Sequence, residues 1–267
     1  MYWKPDLDLY PPYLRSRVRR GRGVGELAGY LPWLKTRDVP SRGTSSSPPG
    51  ILVDRVHHLL SEQETIFFYL LERRSTTIDI REQWPILDID RTLELSSRYG
   101  VRHQRRGKWP EPFTIDFVIT ERVDGEVRTR AASVKTAEEG RLPEVRQRLA
   151  VEYEWCREKG IPWTLVDTCA FDKSLLGNLR FLRSWFRHRH VPDLDQSSRF
   201  ADCFKLAYAR NVPLCELVDR AGRQMWLSSD AAQDVFRHCG WTGRIPIALT
   251  QPAIALDRPL ILEKGWE

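Results

Sequence analysis

The stretch "FTIDFVITERVDGEVRTRAASVK", residues 113–135, decides how this chain folds. Two apolar runs flank Asp124 and Gly125, and an Asp-Gly pair between such runs is typical of the tight turn of a β-hairpin. Asp116 interrupts the first run, and Lys135 ends the second. Because a buried carboxylate is costly without a compensating partner, the pattern predicts two core strands that bring Asp116 and Lys135 to one edge of a sheet.

The segments on either side of this hairpin predict alternating helices and strands. Before it, apolar residues at helical spacing predict a helix that follows Ser61, with Glu64 three residues further on as in a capping box. After it, residues 144–160 are typical of a helix closed by a glycine, and residues 162–168 of a strand. This order favours an α/β domain with helices flanking a mixed sheet. Short β or extended segments are also predicted at residues 76–82 and 85–89.

Composition divides the chain into three parts. Residues 1–50 are rich in Pro, Gly and Arg, and they predict an extended or loop-like basic arm. That arm could contact phosphates or remain solvated, since its composition suits both. Residues 51–170 carry the α/β pattern. Residues 171–267 predict a smaller, mainly α-helical domain that ends in short β segments and could resemble a winged helix.

The overall composition fits a globular protein with a polyanionic partner. The 267 residues are 41% hydrophobic, and the net charge is +6 with clustered positive residues, although solubility alone could explain this excess. The five cysteines show neither CxxC pairing nor zinc-ligand spacing, which indicates reduced thiols in a cytosolic protein. The sequence shows no secretion signal and no unbroken apolar stretch long enough for a membrane span.

Two carboxylates and one lysine could form a hydrolytic site if the helix and the sheet pack together. Glu64 and Asp116 would supply hard oxygen ligands for Mg²⁺, and Lys135 would place a positive charge near an attacking water. The lysine could orient or deprotonate that water and stabilise developing charge. Each residue also has a structural explanation, because Glu64 could only cap its helix and Lys135 could simply reach solvent. Chemistry alone leaves both interpretations open.

Six motifs stand out along the chain: "GYLPWLKTRDVPSRG", "HHLLSEQE", "DIREQWPIL", "TIDFVI", "ASVK" and "RLAVEYEWCREKGIPWTLV". Together they resemble the TnsA family, the endonuclease subunits of heteromeric transposases. They occur in the order and approximate spacing of that family, between about residues 20 and 180. The resemblance implies a restriction-endonuclease-like catalytic domain at residues 51–170, followed by a helical C-terminal domain at 171–267 that contacts partners or DNA.

Family membership would imply a specific role in DNA movement. The expected activity is Mg²⁺-dependent cleavage of double-stranded transposon-end DNA at the 5′ ends, the non-transferred strand, with Mn²⁺ as a substitute metal. A TnsB-like transposase would cut and join the 3′ ends, completing cut-and-paste transposition. A TnsC-like AAA+ ATPase would bind, with the C-terminal domain as the expected contact. The implied setting is the bacterial cytoplasm, at the nucleoid when the transposition complex assembles.

The family's catalytic residues can be carried over one by one. Its acidic residue falls on Glu64, its metal aspartate on Asp116 and its lysine on Lys135. The resemblance implies metal ligation by Glu64, Asp116 and the backbone carbonyl of Val134. Ser133 departs from the pattern, because it stands two residues before the lysine, where nucleases of this kind carry Glu or Gln. A hydroxyl is a poor metal ligand beside a carboxylate, so we expect Ser133 to bond a water at the metal or to pack.

Other matching residues are assigned supporting roles. Arg148 and Glu152 lie four residues apart on one predicted helix, a spacing that favours a salt bridge, and Glu152 could also support the catalytic site. Glu82 and Gln83 are interpreted as structural residues that brace Arg81 or the edge of the site. A basic loop leads into the Asp116 strand and predicts phosphate contacts close to the cut, unless it is an ordinary solvated loop. Its predicted DNA-binding residues are Arg102, Arg105, Arg106 and Lys108.

Two further functions stay open at this stage. One is a free-standing restriction or repair nuclease of the same fold, which would cut DNA without partners. The other is a DNA-binding adaptor that recruits the AAA+ ATPase and has lost catalysis. Ser133 gives the adaptor hypothesis some support, whereas the retention of Glu64, Asp116 and Lys135 argues against it.

Overall fold

The computed structural model describes residues 3–4, 6–39 and 44–265. They form two compact units that differ in architecture. The first unit comprises the residues up to 72 together with 76–169, and the second comprises 73–75 together with the residues from 170 onward. None of the helices in the described ranges is long and apolar enough to cross a membrane.

The first unit is built on a four-stranded mixed sheet. The sheet order is β1-β4-β5-β6; β1 and β5 run antiparallel to β4 between them, and β6 runs parallel to β5. A separate two-stranded hairpin is formed by β2 and β3. The strands are β1 (Thr77–Pro85), β2 (Arg105–Arg106), β3 (Trp109–Pro110), β4 (Thr114–Val123), β5 (Glu126–Val134) and β6 (Trp163–Val166).

The hairpin of β4 and β5 is confirmed, including its turn. Asp124 and Gly125 adopt left-handed φ angles of 53° and 81°, as the Asp-Gly turn of a tight hairpin requires. The pairing starts beside the turn at Val123 and Glu126 and continues to Phe117 and Ala132. The strand ends opposite the turn therefore carry Asp116 on β4 and lead directly into Lys135 after β5.

In the described part of this unit, four α-helices accompany the sheet, and two of them were not predicted. The helices that follow Ser61 and Leu142 are confirmed. Residues 85–89 do not form an extended segment of their own, because β1 continues to Pro85 and a helix begins at Ile89. The prediction of extended backbone is also wrong at 12–19, where Leu14 and Val18 lie one turn apart and are buried. The helices are α1 (Pro12–Arg19), α2 (Glu62–Glu72), α3 (Ile89–Arg98) and α4 (Pro143–Glu158).

The residues before the sheet contribute to the core of this unit. Trp3 stacks on Trp84 with ring centroids 5.1 Å apart, and its indole N–H donates to the Pro85 carbonyl at 2.8 Å. Trp33 is completely buried. Residues 3–4 and 6–39 are therefore not a solvated arm, since side chains such as Leu14, Tyr30 and Trp33 are buried. Residues 40–43 of the motif "GYLPWLKTRDVPSRG" lie outside the described residues. A second buried cluster of the unit contains Tyr10, Leu14, Val18, Trp33, Leu87 and Ile89.

The second unit is helical, as predicted. Residues 214–224 form a helix with the apolar face Leu214, Leu217, Val218 and Ala221. The expected β-wing is not formed in the described residues from 245 onward, where only the bridges Pro213–Pro259 and Ile247–Leu262 occur. Prolines in this segment lack the N–H donors of a strand ladder. The helices are α5 (Lys173–Arg187), α6 (Leu194–Ala207), α7 (Leu214–Gln224) and α8 (Ser229–Trp241).

Arg73 belongs to this helical unit although it precedes the sheet in the chain. Its guanidinium donates to the carbonyl oxygens of Trp241 at 2.8 Å and Gly240 at 3.0 Å. It also lies over the Trp241 ring, 5.8 Å from the centroid. A positive side chain at the carbonyl end of a helix satisfies terminal acceptors and interacts favourably with the helix dipole. Arg73 thus caps the end of α8.

Candidate active site

Asp116 and Lys135 meet at the open end of the β4–β5 hairpin. The Lys135 Nζ donates to Asp116 Oδ2 at 2.6 Å and to the Val134 carbonyl at 2.8 Å. The Val134 N–H donates to the same Asp116 oxygen at 2.7 Å. The compensating partners expected for a carboxylate inside an apolar strand are therefore one backbone amide and one ammonium.

Glu64 approaches the same place from the first turn of α2. The predicted cap is confirmed, because the Glu64 N–H donates to Ser61 Oγ at 3.1 Å. The Glu64 carboxylate accepts hydrogen bonds from the Leu60 N–H at 2.9 Å, from Ser61 Oγ at 3.3 Å and from Gln83 Nε2 at 3.1 Å. The Glu64 carboxylate therefore completes the cap, and it also lines a cleft. Its role as a metal ligand stays a prediction.

One cleft of about 390 Å³ is lined by all three predicted catalytic residues, Glu64, Asp116 and Lys135. Arg148 and Gln83 line it as well. The structure thus brings together residues from α2, β4 and the end of β5, as the nuclease hypothesis requires. Their catalytic role stays a prediction, since geometry alone does not measure turnover.

Burial and a neighbouring charge change the protonation of Glu64. Burial raises the pKa of Glu64 to about 8, and the negative charge of Asp116 adds to this effect. Hydrogen bonds from Leu60 and Ser61 and the charge of Lys135 oppose the rise only partly. Glu64 therefore tends to hold a proton at neutral pH, and a cation bound between the carboxylates could replace that proton.

Lys135 is held in its charged form. Burial lowers its pKa, but the charges of Asp116, Glu152 and Glu64 and the hydrogen bond to Asp116 outweigh burial and leave the pKa above its ordinary value. Of the two roles considered for this lysine, orienting a water or stabilising charge suits the ammonium better than removing a proton.

Ser133 is connected to the helix behind the site. Its Oγ donates to Glu152 Oε2 at 2.7 Å, and both residues are buried. Burial raises the pKa of Glu152, partly opposed by the charge of Arg148. The predicted salt bridge is confirmed, with Arg148 Nε 3.5 Å from Glu152 Oε1. The hydroxyl of Ser133 is therefore engaged with a carboxylate of α4.

Gln83 has a more direct part in the site than the sequence indicated. Its φ of 49° is left-handed, an unusual conformation for a residue other than glycine. The carbonyl of Gln83 accepts from the Trp33 N–H at 3.2 Å, and its side chain donates to Glu64. The match to the family motif was the one available signal for this residue, since nothing local in the sequence predicts the backbone conformation.

The residues present are a suitable set for a divalent metal ion. Asp116 Oδ2 and the Val134 carbonyl already converge on one cation, the Lys135 ammonium. With Glu64 they would offer two carboxylates and one carbonyl, the hard oxygen ligands that Mg²⁺ prefers. The described residues contain no group of three Asp, Glu, His or Cys side chains placed to hold a metal; the predicted set uses only two.

The predicted DNA-binding loop lies beside this cleft. Arg102, Arg105 and Arg106 line a second cleft of about 470 Å³, and Glu111 lines both clefts. Glu111 accepts from Arg17 and from Trp33 Nε1, and its other oxygen lies 3.7 Å from Arg106 Nε. The fourth residue of the prediction, Lys108, instead places its ammonium over the ring of Trp109, 5.0 Å from the centroid. DNA binding by these residues stays a prediction.

Comparison with known proteins connects this site to a family of nucleases. Residues 74–168 match the family model described as TnsA-like endonuclease N terminal. The chain is also 32% identical over 171 residues to the Transposon Tn7 transposition protein TnsA of Escherichia coli, an alignment covering 64% of this chain and 62% of that protein. The chain therefore spans less than two thirds of the length of this relative. Both findings confirm the resemblance and the restriction-endonuclease-like fold class.

Proposed function

We propose, from the premise that residues 74–168 form a TnsA-like endonuclease domain, that this chain is the Mg²⁺-dependent endonuclease subunit of a transposase. It cuts the 5′ ends of the transposon, the non-transferred strand, while a TnsB-like transposase processes the 3′ ends. The observation that carries this proposal is the Lys135 ammonium, held 2.6 Å from Asp116 in a cleft that Glu64 also lines.

The side chains of the cleft have complementary tasks in this proposal. Bound by Glu64, Asp116 and the Val134 carbonyl, Mg²⁺ would polarise the phosphoryl group and acidify the attacking water. Asp116 fixes Lys135, and Lys135 offers an ammonium N–H to a water or a phosphate oxygen. Gln83 holds the Glu64 carboxylate in the cleft through its side-chain amide. Mn²⁺ would substitute for Mg²⁺, because both take oxygen ligands.

The partners are proposed on the strength of the relative, whose name identifies it as a Tn7 transposition protein. They are double-stranded transposon-end DNA, a TnsB-like transposase and a TnsC-like AAA+ ATPase. The helical second unit is the proposed surface for the ATPase. The proposed setting is the bacterial cytoplasm, with nucleoid association during transposition, because the substrate is the DNA that carries the element.

Strand-resolved cleavage of labelled transposon ends tests the proposal. The chain is combined with its partner transposase in Mg²⁺, and wild type is compared with Asp116→Ala and Lys135→Ala. We expect both variants to lose the 5′ cuts while the 3′ cuts continue. Glu126→Ala, an exposed acidic position at the turn end of the same hairpin, is the matched control and should cut like wild type. If Asp116→Ala and Lys135→Ala retain the 5′ cuts, the catalytic assignment is wrong.

The adaptor hypothesis is kept as the second candidate because Ser133 replaces the usual acidic or amide residue. Calorimetric titration with Mn²⁺ separates the two. A nuclease should release or absorb heat on metal binding, and that heat should disappear in Asp116→Ala, whereas an adaptor should give no such signal in either protein. A free-standing nuclease would be recognised by cleavage in the absence of the partner transposase.

A further inference from the structure

We infer that Arg148 is a phosphate-binding residue of this cleft, held in place by Glu152 and Phe113 so that its guanidinium contacts a DNA phosphate at the cut. The inference rests on the proposed nuclease function and adds a substrate contact that the catalytic set of Glu64, Asp116 and Lys135 does not contain.

The position of Arg148 supports this assignment. It lies in α4 and lines the cleft together with Glu64, Asp116 and Lys135. Its side chain is 34% exposed, whereas that of Glu152 behind it is 3% exposed. Arg148 Nε faces Glu152, and the guanidinium carbon lies over the Phe113 ring, 5.5 Å from the centroid. The inner edge of the guanidinium therefore lies against Glu152 and Phe113, where Nε makes an ion pair but no hydrogen bond with any described residue.

The outer edge of the guanidinium remains available for a ligand. Within the described residues, the terminal Nη atoms of Arg148 make no hydrogen bond to the protein. Lys135 is the other cation in the described lining of the cleft, and it already donates to Asp116 and to the Val134 carbonyl. Lys135 therefore keeps one N–H for a water or a phosphate oxygen, whereas both terminal amino groups of Arg148 are uncommitted in the part of the chain that the structure describes. A guanidinium can donate two parallel hydrogen bonds to two oxygens of one phosphate, and it stays positively charged near neutral pH.

The support behind Arg148 also accounts for the serine at position 133. The two oxygens of the buried Glu152 carboxylate have different partners, with Ser133 Oγ at 2.7 Å from Oε2 and Arg148 Nε at 3.5 Å from Oε1. A carboxylate at position 133 would face Glu152 with a like charge, which is unfavourable in a buried place. Ser133, Glu152 and Arg148 therefore form one connected support, in which a hydroxyl suits the position better than an acid.

Two measurements on the full chain test this inference. The first is the rate of 5′ cutting of labelled transposon ends in the presence of the partner transposase. The second is the salt dependence of binding to a transposon-end duplex without divalent metal. Arg148→Gln should cut roughly 100-fold more slowly, and the slope of log affinity against log salt should become shallower by about 0.9, the value for one phosphate contact. Arg146→Gln, on an exposed part of the same helix, is the matched control and should change neither quantity.

A conservative variant separates phosphate binding from folding. Arg148→Lys keeps a positive charge opposite Glu152, so it should unfold at the wild-type temperature and retain the salt slope. It should nevertheless cut more slowly, because an ammonium cannot form the two parallel hydrogen bonds of a guanidinium. If Arg148→Gln fails to fold, this variant decides the matter: slow cutting by a stable Arg148→Lys supports the inference, and wild-type cutting overturns it.

The outcomes distinguish this inference from the proposed function. If wild type never cuts the 5′ strand, the proposed function fails, and the salt slopes of wild type and Arg148→Gln still test the phosphate contact. If wild type cuts and Arg148→Gln cuts equally fast with the same salt slope, Arg148 only neutralises Glu152 and the inference is overturned. The inference is also overturned if Arg146→Gln shows the same losses. The loss of any positive charge from this helix would then explain the slower cutting and the shallower salt slope.

Discussion

Glu82 is a fully buried carboxylate that connects β1 to the segment before α2. Arg55 donates to its two oxygens at 2.8 Å and 2.6 Å, His57 Nδ1 lies 2.9 Å away, and the His58 N–H donates at 2.9 Å. Burial raises the pKa of Glu82, but the hydrogen bonds and charges of Arg55 and His57 outweigh burial and lower the pKa to about 2. The ionised form is therefore the one that the fold stabilises.

This cluster predicts acid-sensitive stability. The folded pKa of Glu82 lies below the unfolded value of about 4.3, so its contribution is present above that value and is lost as pH falls through the folded pKa. Between pH 6 and pH 3, wild type should lose about 2 kcal/mol more unfolding free energy than Glu82→Gln. Urea unfolding at a series of pH values measures this difference. Glu126→Gln, at an exposed position, should follow wild type; parallel curves for Glu82→Gln would contradict the argument.

Residue identity allowed part of the site to be predicted from the sequence. Asp116 and Lys135 could be placed together because a tight turn fixes which ends of two strands meet. Glu64 could be placed at the start of α2 by its spacing from Ser61. The positions of Gln83 and Arg148 in the cleft were not predicted, because they depend on contacts between residues that are distant in the chain. The left-handed φ of Gln83 and the orientation of Arg148 over Phe113 are set by tertiary packing, which local patterns do not encode.

At the scale of single elements, the turn between β4 and β5 controls the geometry of the site. Gly125 has a φ of 81°, and a Cβ built there would meet no other atom within 4 Å. A substitution at this position therefore introduces backbone strain without a steric clash. Gly140, in the segment before α4, is equally open but does not have a left-handed φ.

These two glycines provide a matched pair of substitutions. Gly125→Ala should lower the free energy of unfolding by about 1–2 kcal/mol, because an L-residue is disfavoured in the left-handed region. Gly140→Ala should not lower it, since neither strain nor a clash is introduced. Urea unfolding followed by intrinsic fluorescence measures both. Equal stability of the two variants would show that the turn tolerates a side chain and that the strain argument is wrong.

The elements that escaped prediction share a physical explanation. α1 is eight residues long, and it has only two buried side chains, Leu14 and Val18, among several arginines. Such a short helix is stabilised by packing rather than by its own propensity. α3 is also short, at 10 residues. α4 was recognised because its pattern extends over 16 residues, and β4 and β5 because an Asp-Gly turn joins their apolar runs.

At the scale of the whole molecule, Arg73 is a residue of the first half of the chain that belongs to the second unit. Arg73→Ala should lower the free energy of unfolding of that unit by about 1.5–3 kcal/mol, the usual contribution of a hydrogen bond to a charged group. Hydrogen exchange should accelerate in the last turn of α8 and stay unchanged in β4 and β5. Arg187→Ala, at an exposed position in the last turn of α5, is the control. Unaltered exchange in α8 of the Arg73 variant would contradict this role.

The discontinuity of the second unit was not predictable from composition. Patterns of charge and hydrophobicity change gradually along the chain, and they suggested a boundary near residue 170. Residues 73–75 sit between α2 and β1 in sequence, and nothing in their own pattern distinguishes them from a connecting loop. Only the hydrogen bonds of Arg73 to the end of α8 reveal the assignment, because they join residues 167 and 168 positions apart.

The cap that Arg73 places on α8 constrains how this protein can be recombined with its relatives. A chimera joined at residue 170 would inherit all four C-terminal helices but take position 73 from the other parent. If that parent lacked an arginine there, the transplanted helices would lose the partner of their last two carbonyls. Exchange of the C-terminal segment, in evolution or in the laboratory, should therefore succeed most often when residue 73 is exchanged together with it. One codon far upstream is then inherited with the codons of the helical unit.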